Sequence, residues 1–201
     1  LANQSVRSLF SSAQFESFSP ENQTLQTASA DELLQGAYGC SPGTELFLVN
    51  ENHPLPSDYA PELTVYPDTD VQLSPMLTEP YRRLAEDISS RFGNTLYIRS
   101  SFRTAEEQAQ EKAEQPAVAA AAGASEHETG MALDVYIPYY AGYGFLKSEA
   151  GQYVNSNCWN YGFIIRYPFL KTESTGIPFE PWHLRYVGLP HAEIIEKNSW
   201  T

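Results

Sequence analysis

Ser125-Glu-His-Glu-Thr-Gly-Met-Ala-Leu-Asp134-Val-Tyr-Ile137 decides how the rest of the chain is read. It runs from polar residues through Gly130, where the backbone can turn, into Met131–Ile137, a strand with one apolar and one polar face. A histidine in the loop, His127, and a carboxylate on the strand, Asp134, can then converge on one point. Histidine is scarce, four in 201 residues. A second one sits in an equally polar setting, Glu180-Pro-Trp-His183-Leu-Arg-Tyr186. Pro181 disfavours helical backbone at Glu180, so this segment is expected to be extended or turned before its strand.

Outward from these two segments the pattern mixes helices and strands. Met76, Leu77, Tyr81, Leu84, Ile88 and Phe92 recur at three- and four-residue steps, which predicts a helix over Ser74–Phe92 ending at Gly93 and Asn94. Leu96–Phe102 reads as a strand, and Thr104 as the cap of a helix starting at Ala105-Glu-Glu-Gln108. Lys147–Tyr161 reads as a helix stopped by Gly162; Phe163–Tyr167 and His183–Val187 read as strands; Pro190–Lys197 reads as a short last helix. Leu46–Val49 is expected to be a strand and His53–Asp58 a proline-broken loop, while the alanine run Ala117–Gly123 suits either a helix extension or a loop. With no repeated strand–helix–strand unit, the expected class is α+β with an antiparallel sheet and flanking helices.

Residues 1–44 are rich in Ser, Asn, Gln and Thr, with a short helix expected over Ala28–Gly36. They read as a partly irregular N-terminal extension to a domain over 45–201. The chain starts at Leu1 with no basic, apolar leader, so it reads as a mature or trimmed form. A hydrophobic content of 42% is enough for a core. A net charge of -13 and a sequence pI of 4.6 argue against nucleic acid or anionic membrane as partners. Cys40 and Cys158 could pair in an exported protein or be buried thiols, and no Cys-x-x-Cys motif offers a thiolate zinc site.

His127, Asp134 and His183 are suitable zinc ligands, and three protein ligands leave a fourth position for water, as in catalytic sites. Zinc would draw the pKa of water from ~16 toward ~7. A carboxylate outside the ligand set must take the proton and return it to the leaving amine, and Glu180 is the candidate. From the residues alone the alternative stays open: a capped loop histidine, an ordinary surface aspartate and a structural histidine.

Taken in order, Ser-x-His-x-x-Gly-x-Ala-x-Asp (Ser125–Asp134) and Glu-x-Trp-His-x-Arg-Tyr (Glu180–Tyr186) resemble the VanY-like D-alanyl-D-alanine carboxypeptidases of bacterial cell-wall metabolism. Ser100-Ser-Phe-Arg-Thr-Ala-Glu-Glu-Gln108 and Tyr161-Gly-Phe-Ile-Ile-Arg-Tyr-Pro168 match as well, and the likeness covers roughly Leu46–Ile195. The resemblance implies a zinc peptidase of the lysostaphin/Hedgehog-type fold, with His127, Asp134 and His183 as ligands and Glu180 as acid/base. By the same carry-over Arg103, Gln108, Ser125 and Tyr167 line the substrate site. A guanidinium suits the free carboxylate of a peptide C-terminus. The competing readings are an ion pair of Arg103 with Glu106 or Glu107, and sheet packing for Tyr167. Arg185 is expected to support the site or pair with a carboxylate, Trp182 to pack beside it, and His53 and His191 to be structural or solvated. Tyr136, Tyr139, Tyr140 and Tyr143 could wall a peptide groove, but are expected to pack at the core and rim.

The resemblance implies removal of the terminal D-alanine from a peptidoglycan stem peptide by an extracytoplasmic monomer, secreted or envelope-associated, with a removed N-terminal anchor left open. L,D-carboxypeptidase, stem-peptide endopeptidase and non-catalytic wall-peptide-binding module are the alternatives. The alanine run departs from the more polar lead-in such enzymes carry before Ser-x-His, which bears on the shape of the adjoining substrate wall.

Overall fold

A long amphipathic helix and a four-stranded sheet bury each other's apolar faces. The computed structural model describes residues 44–201, so the helix expected over Ala28–Gly36 and Cys40 lie outside the described residues. In chain order the elements are β1 (Thr64–Val65), β2 (Gln72–Leu73), α1 (Pro75–Phe92), β3 (Tyr97–Ser100), α2 (Ala105–Glu114), β4 (Ala132–Tyr136), α3 (Glu149–Asn157), β5 (Phe163–Ile165), α4 (Thr172–Thr175), β6 (His183–Tyr186) and α5 (Leu189–Lys197). β1 and β2 form a small hairpin; the main sheet has the order β3-β4-β6-β5 with every pair antiparallel. The expected α+β class with an antiparallel sheet is what the chain forms.

α1 forms because its apolar residues repeat at helical spacing and its ends are defined. Pro75 starts it, where a missing N–H costs nothing. Gly93 ends it in the left-handed region, its N–H closing on the Ser89 carbonyl. Leu77, Tyr81, Leu84 and Ile88 are buried by it, each aliphatic side chain contributing about 1.5–3 kcal/mol. Met76, expected on the same stripe, is exposed, because its angle places it off the seam against the sheet. From the sheet side Leu133, Val135, Phe163 and Leu184 enter this core, and α3 adds Ala150 and Val154.

Three expected elements are corrected, and one unexpected element is added. Leu46–Val49 is not a strand: a 3-10 turn spans Thr44–Leu46, and the Glu45 and Phe47 carbonyls are taken by the Arg185 guanidinium (3.3 and 3.0 Å) rather than by a neighbouring strand. The β1–β2 hairpin was not expected. The Lys147–Tyr161 helix is shorter, because Ser148 caps α3 through the Gly151 N–H at 3.0 Å and 3-10 turns flank it at Gly142–Lys147 and Cys158–Tyr161. The strand expected over Phe163–Tyr167 ends at Ile165. The alanine run is a loop: α2 stops at Glu114, and Lys112 Nζ donates to the carbonyls of Pro116 (3.0 Å) and Ala119 (2.7 Å). Gln108 Nε2 donates to the Ala120 carbonyl at 2.8 Å.

Candidate active site

Backbone pairing brings two of the three candidate metal residues together, and a turn supplies the third. In the β4–β6 ladder Asp134 lies opposite His183, and directly opposed residues share a face. β3 adds Ser100 opposite Asp134 after an irregularity at Ile98/Ser100, which turns the following segment toward the site. His127 arrives on a 3-10 turn, Glu126–Thr129. Ser125 caps that turn by accepting from the His127 N–H (3.3 Å), while the Glu128 carboxylate accepts from the Gly123 N–H (2.8 Å) and the Ser125 N–H (3.4 Å). Gly130 then swings the chain into β4 at φ 71°, with a would-be Cβ only 2.8 Å from Leu63 Cδ2 and 3.2 Å from the Ser74 nitrogen. A side chain there would be both strained and crowded.

Asp134 stands between the two imidazoles. Its Oδ2 lies 3.3 Å from His127 Nε2 and its Oδ1 3.1 Å from His183 Nδ1, with the rings nearly perpendicular at 88°. Donor atoms at ~2.0–2.1 Å from a tetrahedral zinc sit roughly 3.3–3.4 Å apart, close to the spacing of each imidazole from its own Asp134 oxygen, so the donor types and their proximity suit such an ion. All three residues offer ligand atoms within 4.8 Å of one another. The imidazoles differ in charge preference. Burial lowers the pKa of His127, whose Nδ1–H donates to the Ser101 carbonyl at 2.7 Å and leaves Nε2 as the acceptor nitrogen. For His183 burial also pulls downward, but carboxylates on both sides, Asp134 and Glu126, lift it to about 9. Asp134, despite burial, is held far below the usual carboxylate range by the two histidines.

Sequence reasoning missed the carboxylate on the far side of His183. Glu126 is buried, with Oε2 3.3 Å from His183 Nε2 and Oε1 receiving Arg166 Nε at 2.8 Å. Arg185 Nη1 lies 3.9 Å from the same oxygen. Burial opposes its ionisation, yet Arg185, the His183 hydrogen bond and Arg166 hold its pKa at about 2. The signal lay in alternation: Ile164 pairs with Arg185 across the β5–β6 ladder, so Arg166, two residues on, falls on that same polar face.

The remaining candidates line one cleft of about 370 Å³, together with His127, Asp134 and His183: Arg103, Gln108, Ser125, Tyr167 and Glu180. Burial raises the pKa of Glu180 to about 7, and its Oε2 is 3.8 Å from His183 Nδ1. The turn expected at Pro181 is present, closed by the His183 N–H on the Glu180 carbonyl at 3.2 Å. Arg103 makes no ion pair with Glu106 or Glu107. Glu107 is engaged as the capping partner of Thr104, and Arg103 Nε is buried without a hydrogen-bond partner among the described residues. Gln108 Oε1 is likewise buried and unpartnered among them. Tyr167 is mostly buried, its ring centroid 4.8 Å from that of His183, and burial keeps its hydroxyl protonated far above the usual range. Val118, Ala119 and Ala120 form part of the wall.

Arg185 pairs with a carboxylate, that of Glu126 at 3.9 Å, which is one of the two expectations for it. Trp182 and Tyr143 meet edge to face at the rim, at 5.2 Å between centroids. Tyr136 stacks on Tyr97, while Tyr139 is fully exposed rather than packed. His53 bonds Asn50 in its exposed loop, and His191 is buried against the Val187 carbonyl. Cys158 is a buried thiol whose pKa burial pushes up to about 12.

The sequence matches the family described as VanY, D-alanyl-D-alanine carboxypeptidase, over residues 70–189, more than half the chain. It is 32% identical to a D-alanyl-D-alanine carboxypeptidase of Enterococcus faecium, over 90% of this chain and 60% of that protein, so it spans less than two thirds of that relative. Among solved structures it is similar to the LdcB LD-carboxypeptidase (TM-score 0.70, 28% identity, 77% of this chain and 81% of that one). It is also similar to a mutant VanY D,D-pentapeptidase from a VanB-type resistance cassette in complex with Zn(II) (TM-score 0.67, 30% identity, 79% and 96%).

Proposed function

The chain belongs to the VanY D-alanyl-D-alanine carboxypeptidase family, and from that premise we propose that its 45–201 domain is a zinc-dependent D,D-carboxypeptidase. Its substrate is the peptidoglycan stem peptide, from which it removes the terminal D-alanine, acting outside the cytoplasm. The observation that carries this reading is the convergence of His127, Asp134 and His183 in the cleft that also presents a buried, unpartnered Arg103 Nε. That nitrogen lacks an acceptor among the described residues, and the carboxylate of a peptide C-terminus would supply one to the Arg103 guanidinium. Among the described residues no helix is long and apolar enough to cross a membrane.

His127 through Nε2, Asp134 through a carboxylate oxygen and His183 through Nδ1 would hold the ion. Bound there, zinc polarises the scissile carbonyl and makes water acidic enough to ionise near neutral pH. Glu180 takes the proton of the attacking water. As oxygen bonds to the carbonyl carbon and the C–N bond breaks, Glu180 gives that proton to the amine of the departing D-alanine. A pKa near 7 suits both halves of this task. Arg103 pairs with the terminal carboxylate, Gln108 Oε1 accepts from a peptide N–H, and Ser125 donates its hydroxyl. Tyr167 stays protonated and so serves as a donor to the developing oxyanion.

The likeness to an LD-carboxypeptidase supports a second reading, cleavage of the tetrapeptide end. Synthetic stem pentapeptide and tetrapeptide, incubated with and without chelator and followed by mass spectrometry, separate the two. D-Alanine released from the pentapeptide alone, and only without chelator, is the expected result. Release from the tetrapeptide alone means L,D specificity. Cleavage of neither by the zinc-loaded chain leaves a wall-peptide-binding module.

A further inference from the structure

On the side of His183 away from the cleft lie three buried charges that do not line it. Glu126, Arg166 and Arg185 are 2%, 6% and 2% exposed. An isolated carboxylate in such a place is strongly unfavourable, and its partners are arranged with a division of labour. Glu126 Oε1 receives Arg166 Nε at 2.8 Å and faces Arg185 Nη1 at 3.9 Å; Oε2 is left for His183 Nε2 at 3.3 Å. Arg185 is itself fixed, donating to Thr129 Oγ1 at 3.2 Å and to the Glu45 and Phe47 carbonyls. A carboxylate pinned between two guanidiniums only accepts. The ring nitrogen that faces it is therefore the one that keeps its proton, and the lone pair is left on Nδ1, the nitrogen that faces Asp134 and Glu180.

We propose that Glu126 is a positioning residue for His183: it fixes the tautomer and ring orientation that present Nδ1 to the metal, and Arg166 and Arg185 hold it there. The two metal-site histidines thus reach one end by different means. His127 is oriented by a backbone carbonyl, that of Ser101 at 2.7 Å, which no substitution removes. His183 is oriented by a side chain, which can be removed. Outer partners of this kind change metal affinity by about 10–100-fold when lost. The inference rests on the reading of His127, Asp134 and His183 as a zinc site.

The test is a zinc titration of the full chain against a chromophoric chelator, for the wild type, Glu126→Ala and Glu126→Gln. Glu126→Ala is expected to weaken zinc by about 10–100-fold. Glu126→Gln should recover most of that loss, since its side-chain carbonyl still accepts from Nε2–H. A Glu126→Ala chain that melts earlier but holds zinc as tightly as the wild type marks a structural ion pair and overturns the inference. Should the variants not fold, the wild type decides. Long-range proton–nitrogen NMR of the zinc-loaded protein should show His183 protonated on Nε2 and coordinated through Nδ1; coordination through Nε2 overturns the inference. A wild type that binds no zinc refutes the metal site itself, an outcome separate from either of these.

Discussion

On one face of the β4–β6 pair, Leu133, Val135 and Leu184 pack into the core shared with α1 and α3. On the other, one residue along each strand, stand Asp134, His183 and Arg185. The first face works by summed contact, so no single residue defines it and an apolar neighbour of similar volume can substitute. The second works by direction. Each polar atom there faces a particular partner at about hydrogen-bond distance, and losing one partner strands the other. Strand alternation lets the two coexist a few ångströms apart: the dry face holds the wet face's atoms in register.

Several experiments test whether the two faces are separable in this way. The largest effect belongs to Glu180→Ala, expected to lower kcat by about 10²–10⁴-fold while zinc stoichiometry and melting temperature stay at wild-type values. A loss of both activity and zinc would mean that Glu180 acts as a ligand instead. On the apolar face, Leu184→Ala should destabilise the fold by about 2–5 kcal/mol in urea titration. Zinc content below the transition should be unchanged, and stripped zinc in the folded chain would show that the faces are not separable. Arg103→Ala removes a charged hydrogen-bond donor worth about 1.5–3 kcal/mol, so kcat/KM on the pentapeptide should drop by roughly 10–100-fold without a change in stability.

Acid titration gives a smaller, graded effect. Glu180 must be ionised to accept a proton, and burial sets its pKa at about 7. Below that value kcat/KM should fall by about tenfold per pH unit. A nearby cation favours the carboxylate, so in the zinc-loaded protein the midpoint lies at or below pH 7. Activity rising toward acid would contradict the assignment. Smallest of all is Arg82→Ala. Arg82 pairs with Glu79 at 2.6 Å and with Glu86 on the solvent side of α1, and its loss should leave the melting temperature where it is.

What could be read from the sequence divides along the same line. α1 was legible because its stripe repeats over eighteen residues between a proline and a glycine. β4 was legible because it alternates. His127 and His183 stood out as scarce histidines beside the carboxylates Asp134 and Glu180, and the structure gathers all four in one cleft. The β1–β2 hairpin was not legible, since two residues per strand carry no period. Leu46–Val49 misled because an apolar run looks like a strand whether its carbonyls meet another strand or an arginine. Glu126 escaped for a related reason. A glutamate in a polar turn looks solvated until tertiary structure places Arg166, forty residues on, against its oxygen.

The hydrogen bonds from Arg185 to the Glu45 and Phe47 carbonyls also set where this chain can be cut. The family match begins at residue 70, and trimming to that point would look conservative. It would instead delete the Glu45 and Phe47 acceptors of Arg185 Nη2, stranding donors on a side chain that is 2% exposed. The damage would pass through Arg185 to Glu126 and His183, so the shortest useful expression boundary lies at or before Glu45, well upstream of every residue that touches the cleft.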